Sequence, residues 1–190
     1  MFVNWETREV YYKLVYYGPP LSGKTTNLEQ LHQDLPQPAR SDLVSVKTRE
    51  DRTLFFDFME LSLGQINGMQ PKFKLYTVPG QSYYAATRQL VLHDVDGLIF
   101  VADSASDRLQ ENQRAMKDMH QQLQALDLSV QDLPFVLQCN KQDLDNAIEP
   151  NLLAWFLSVK QAPIIPAVAI QKRGTRETLK QLMGLVLKKS

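Results

Sequence analysis

Gly18-Pro19-Pro20-Leu21-Ser22-Gly23-Lys24-Thr25 constrains this chain more than any other segment. It follows an apolar, strand-like run at residues 10–17 and opens a helix-like run at 24–35, which ends before Pro36 and Pro38. The spacing G-x-x-x-x-G-K-[ST] between a strand and a helix is that of a phosphate-binding loop. A tight loop aims successive backbone N–H groups inward, and the helix N-terminus adds about half a positive charge. Lys24 would charge-balance the outer phosphates, and the Thr25 hydroxyl would face Mg²⁺. Gly18, Leu21, Ser22, Gly23, Lys24, Thr25 and Thr26 are therefore the candidate cradle for a nucleoside triphosphate.

The chain has 190 residues, enough for one domain with a sizeable core. Lys+Arg and Asp+Glu both number 21, so the zero net charge argues against a nucleic-acid binder working by bulk charge. A single cysteine, Cys139, excludes an internal disulfide and points to a reducing compartment, the cytoplasm. Cys139 ends an apolar run, which predicts an inert buried thiol. Neither a signal peptide, a membrane span of about 18 apolar residues nor a lipid anchor is expected. Membrane recruitment would then run through a partner.

Strand and helix patterns alternate, which predicts an α/β fold: a mostly parallel sheet with helices on both faces. Six strands are expected, at residues 10–17, 54–59, 72–78, 97–102, 135–139 and 164–169. Residues 37–51 read as loop, and 64–71, with two glycines and a proline, as a turn region. The strands at 54–59 and 72–78 are close enough to pair antiparallel, placing one antiparallel strand at an edge. Pro166 suggests the opposite edge for the last strand. Helical spacing of Leu109, Met116, Met119, Leu123 and Leu126, and of Leu179, Leu182, Met183 and Val186, marks two later helices. Alternation puts Leu54, Phe56 and Phe58 on one face, expected to be buried. Residues 1–190 read as one domain.

Asn140-Lys141-Gln142-Asp143 follows the apolar run ending at Cys139. Guanine presents two donors side by side, N1–H and the 2-amino group, and one carboxylate, Asp143, would accept both. Adenine offers neither, so a site built this way discriminates by roughly 10⁴ or more. Asn140 would bond the other edge of the ring and tie loops together, and the Lys141 stem would lie along its face. A third element, Thr77-Val78-Pro79-Gly80-Gln81, ends the strand at 72–78. The Gly80 N–H would meet the terminal phosphate, and Gln81 would orient an attacking water.

With these strings in hand the chain resembles a Ras-superfamily small GTPase, and more narrowly the bacterial MglA group. The segments behind the narrower likeness are Tyr16 to Pro19, Gly23 to Leu28, Asp51 to Phe58, Leu75 to Gln81, and Asp96-Gly97 with Phe100 to Asp103. The resemblance implies a Ras-like fold and a GTP/GDP switch with Mg²⁺, whose two switch segments would be residues 37–53 and 79–90. It implies a homodimeric Roadblock/LC7-type partner, MglB-like, that promotes hydrolysis without inserting an arginine. The arginine would come in cis from Arg52, worth about 10³–10⁵ in rate. Thr53 would reach Mg²⁺ or the γ-phosphate, with Thr48 a weaker competitor, and the Ala169 N–H would bond the guanine oxygen. Phe55, Tyr83 and Tyr84 are candidates for the partner surface.

Two residues depart from the superfamily pattern. Thr77 stands where most small GTPases have Asp, although this is the MglA-group pattern; Asp57, on the neighbouring strand, would compensate. Pro20 stands where glycine is usual. Pro19 and Pro20 have no N–H, so the cradle must come from residues 22–26. A ring at Pro20 would either fix the loop or slow hydrolysis. A nucleotide-binding scaffold with little hydrolysis therefore stays open as the alternative, and a P-loop ATPase or kinase as a more distant one.

Overall fold

The computed structural model describes residues 1–46, 56–81 and 84–190. These form eight strands: β1 (Phe2–Asn4), β2 (Glu9–Tyr17), β3 (Val44–Val46), β4 (Phe56–Ser62), β5 (Gln70–Thr77), β6 (Gly97–Asp103), β7 (Phe135–Asn140) and β8 (Ile164–Pro166). Five α-helices accompany them: α1 (Lys24–Asp34), α2 (Ala85–Leu92), α3 (Leu109–Gln124), α4 (Pro150–Phe156) and α5 (Thr175–Lys189). The sheet runs β3-β4-β5-β2-β6-β7-β8, with β1 paired antiparallel to the start of β2.

The burial of each strand follows from its neighbours. β2 is parallel to both β5 and β6, and its last four residues are buried on both faces. β6 and β7 are buried at every position, as central parallel strands are. α1 and α5 cover one face, packing Leu28 and Leu182 against Leu14, Tyr16 and Leu75. α2, α3 and α4 cover the other, packing Leu92, Met119 and Leu153 against Phe100 and Leu137. Strand order reverses at β2, so the loops leaving the C-terminal ends of β2, β5, β6 and β7 converge there.

Three expectations need correction. The sheet has eight strands rather than six: β1 and β3 are each three residues long, too short to show a period, and β3 lies inside the stretch read as loop. β4 does pair antiparallel with β5, but β3 lies outside it and forms the edge. The face of β4 is also inverted: Asp57, Met59 and Leu61 are buried, while Phe56 and Phe58 are half-buried. Met59 and Leu61 meet the α1–α5 layer, and Phe58 lies against Tyr76 with ring centroids 4.9 Å apart. Pro166 sits in the edge strand β8, as its missing N–H required.

Candidate functional site

The phosphate loop leaves β2 and enters α1 through Gly23, whose φ of +102° is open to glycine and strained for other residues. A Cβ there would also fall 2.2 Å from the Asn140 amide nitrogen. Gly18 turns the chain at φ +141°, and Leu21 takes a left-handed φ of 64° with its side chain exposed. Lys24 is buried, and its Nζ donates to the carbonyls of Gly18 (2.9 Å) and Pro19 (2.6 Å). Burial pushes its ammonium down to about 7, opposed by the Asp57 charge and reinforced by Arg88. Ser22 is buried, its Oγ without a hydrogen-bond partner among the described residues, and Thr26 is half-buried on α1.

The sharpest feature is the carboxylate of Asp57. It is only 7% exposed. Phe58 pairs with Tyr76, which sets Asp57 beside Thr77. Asp57 Oδ2 accepts from Thr25 Oγ1 at 2.6 Å and Thr77 Oγ1 at 2.9 Å, and Oδ1 accepts from Ser45 Oγ at 2.7 Å. The Asp57 N–H donates back to Thr77 Oγ1 at 2.9 Å. A buried charge is tolerated when hydrogen bonds satisfy it, as here. Asp57, Thr25, Thr77, Lys24 and Gln81 line one cleft of about 450 Å³. A hard anionic oxygen ringed by hydroxyls fits Mg²⁺, which takes oxygen ligands and few protein carboxylates.

Gly80 presses on the phosphate loop: a Cβ there would fall 2.4 Å from Pro20 N and 2.7 Å from the Pro19 carbonyl carbon. Only a residue without Cβ brings the two backbones so close. Gln81 follows it, exposed at the rim of the cleft.

At the base end, Asn140 is buried and cross-links three loops. Its Nδ2 donates to the Ser22 carbonyl (2.7 Å), and its Oδ1 accepts the Ala169 N–H (2.8 Å). The Ala169 N–H, assigned by resemblance to a guanine oxygen, is thus engaged by Asn140, so Ala169 enters the site by holding that side chain. Lys141 Nζ is anchored to Asp103 Oδ2 at 2.6 Å. Asp143 is exposed and accepts no hydrogen bond among the described residues. Arg52, Thr53, Thr48, Phe55 and Tyr83 lie outside the described residues; Tyr84 is half-buried beside the cleft.

Several contributors escaped sequence reading. Ser45 sits in a three-residue strand with no motif. Asn27 and Gln138 form a buried amide pair beneath the loop. Arg88 lies on the buried face of α2 with Thr87, Val91 and Leu92, where a charge among apolar residues was a readable signal.

A phosphate loop, an Asn-Lys-Gln-Asp tetrapeptide and a Gly-Gln step, gathered where the sheet reverses, fit a small GTPase. A model of the ADP-ribosylation factor (Arf) family matches residues 1–186, and the chain belongs to that family. It is also 42% identical over 186 residues to the mutual gliding-motility protein MglA of Myxococcus xanthus (strain DK1622), covering 98% of this chain and 95% of that protein. The chain is an MglA-like GTPase, a switch that binds and hydrolyses GTP. The likeness favours the hydrolysing switch and lends nothing to the scaffold alternative.

Proposed function

We propose that residues 1–190 act as one G domain, a cytoplasmic polarity or motility switch, in which Asp57 supplies from β4 the carboxylate that most small GTPases carry at the position of Thr77. The observation that carries this is the set of three hydroxyls, from Thr25, Thr77 and Ser45, converging on that buried carboxylate. Mg²⁺ held by Thr25, Asp57 and Thr53 would offset the charge of the outer phosphates. Lys24 binds those phosphates as an ammonium, and Gly80 offers its N–H at the rim. Gln81 orients the attacking water, and Arg52 offsets charge building on the transferred group. Asn140, Lys141 and Asp143 select guanine. A homodimeric Roadblock/LC7-type protein would stimulate the reaction at the switch segments, and the motility role rests on the name of the Myxococcus xanthus relative.

Asp57→Asn tests the reading. Chelating Mg²⁺ should speed nucleotide release from the wild type by about tenfold or more, given the several kcal/mol such charge contacts carry. In Asp57→Asn, release should already be fast and indifferent to chelation. A variant that keeps the wild-type response to chelation would sink the assignment.

A further inference from the structure

We propose that Arg88 is a positioning residue for hydrolysis: anchored by Asp118 and Tyr17, it clamps the backbone of residues 79–81 and so sets where Gln81 stands. This rests on the reading of Gln81 as the residue that orients water.

Arg88 is 4% exposed, on the face of α2 that packs on the sheet. A guanidinium buried there is costly unless it is well paired. Its Nη1 donates to the Gln81 carbonyl at 2.6 Å and to the Pro79 carbonyl at 3.4 Å. Its Nε lies 2.8 Å from Asp118 Oδ2, and Nη2 donates to Asp118 Oδ1 at 3.2 Å. The ion pair at Nε and the hydrogen bond from Nη2 engage both oxygens of Asp118, which orients the guanidinium and hence Nη1. Asp118, from α3, also accepts the Tyr17 phenol, whose pKa is pushed up by burial and then by that carboxylate, so the hydroxyl stays a donor. Tyr17 is the residue immediately before Gly18.

The clamp therefore joins the stem of the phosphate loop, α3, α2 and the segment after β5. The two carbonyls it holds flank Gly80, which rests on Pro19 and Pro20. Residues 79–81 are thus pinned from two sides, by the phosphate loop at Gly80 and by Arg88 at Pro79 and Gln81. An ammonium could not replace this arrangement, because a point charge lacks the fork that serves a carboxylate and two carbonyls together.

The test compares Arg88→Lys, Asp118→Asn, Tyr17→Phe and Gln81→Ala with the wild type. It measures single-turnover GTP hydrolysis, GDP affinity, and amide hydrogen exchange at Gly80 and Gln81, in α1 and in β7. Arg88→Lys and Asp118→Asn should slow hydrolysis by about tenfold or more while GDP affinity stays within about twofold, because the lost contact acts on the reacting geometry and not on ground-state binding. Exchange should quicken at Gly80 and Gln81 and stay unchanged in α1 and β7. Tyr17→Phe should show the same pattern, weaker. A purely structural role would quicken exchange throughout and weaken GDP binding in parallel, which overturns the proposal. Wild-type hydrolysis by Arg88→Lys beside a slow Gln81→Ala overturns the clamp and leaves the Gln81 reading standing. Wild-type hydrolysis by Gln81→Ala removes both. Should the Arg88 variant fail to fold, Asp118→Asn and Tyr17→Phe decide by the same criteria.

Discussion

Replacing Asn27 and Gln138 one at a time should cost far more than replacing them together. Both side chains are fully buried between α1, β7 and α5. Asn27 Nδ2 donates to Gln138 Oε1 (2.8 Å) and to the Gly23 carbonyl (2.9 Å). Gln138 Nε2 donates to Asn27 Oδ1 (2.9 Å) and to Thr178 Oγ1 (2.9 Å). Every donor hydrogen and both oxygens are therefore used. Asn27→Ala strands the Gln138 oxygen and one of its N–H groups; Gln138→Leu strands the Asn27 oxygen and one N–H. At about 1–3 kcal/mol for each of the two buried groups left unpaired, either single change should cost about 2–6 kcal/mol. In the double variant no amide remains to be stranded. Gly23 O still accepts the Asn27 backbone N–H, Thr178 Oγ1 still donates to Gly174 O, and an Ala–Leu pair fills about the space of Asn and Gln. The double should thus lie within about 1.5 kcal/mol of the wild type, a coupling of at least about 2 kcal/mol. Urea unfolding at a fixed saturating GDP–Mg²⁺ concentration measures it, since bound ligand shifts every midpoint. Additive single effects, or a single loss below about 0.5 kcal/mol, would refute the reasoning.

Three further outcomes follow from the same geometry. Gly80→Ala must push residues 79–81 off Pro20, because the clashing atom is backbone; hydrolysis should fall about tenfold or more with GDP binding retained, and an unchanged rate in single turnover would contradict the close approach. Burial pushes the Cys139 thiol up to about 12, so at pH 8 about one thiol in 10⁴ is ionised; iodoacetamide should leave the native protein unlabelled while modifying the unfolded chain, and rapid native labelling would refute this. Lys24 is lowered to about 7 from 10.5, so the nucleotide-free fold binds fewer protons than the unfolded chain between those values. Its contribution to stability therefore rises with pH across that window, and a phosphate that needs the ammonium should bind about tenfold more weakly at pH 8 than at pH 6. A Lys24→Met control should remove both dependences, and a flat wild-type profile would refute the shift.

The sheet was largely legible because its central strands announce themselves. Gly97–Asp103 and Phe135–Asn140 are apolar runs long enough to be read as buried on both faces. β1 and β3 were not legible, since three residues carry no period. Nor was the inward face of β4, because Phe56 and Phe58 outweigh Asp57 on any hydrophobicity scale, while the fold buries the carboxylate and leaves the rings half-covered. Hydrophobic alternation orients a strand only when the buried face carries no function. In β4 the site, and the α1–α5 layer under Met59 and Leu61, decide instead.

The same strand explains how the site could be read in parts and still miss its connections. Motifs name residues that touch a ligand, so Lys24, Asn140 and Asp143 stood out. They do not name residues that hold other residues, so Ser45, Asn27, Gln138, Arg88 and Asp118 did not. Asp57 lies between the two kinds. The role proposed for it starts from Thr77, which lacks the charge its position usually carries, and an antiparallel neighbour is the nearest place from which to restore it. The observed register does this: Phe58 opposite Tyr76 leaves Asp57 accepting from both Thr77 and Thr25. Side chains alternate between faces along a strand, so a one-residue slip would turn Asp57 away from the cleft. In this chain the register of β4 against β5, set by Met59, Leu61, Phe73 and Leu75 in the core below, is therefore itself a determinant of the carboxylate that lines the cleft.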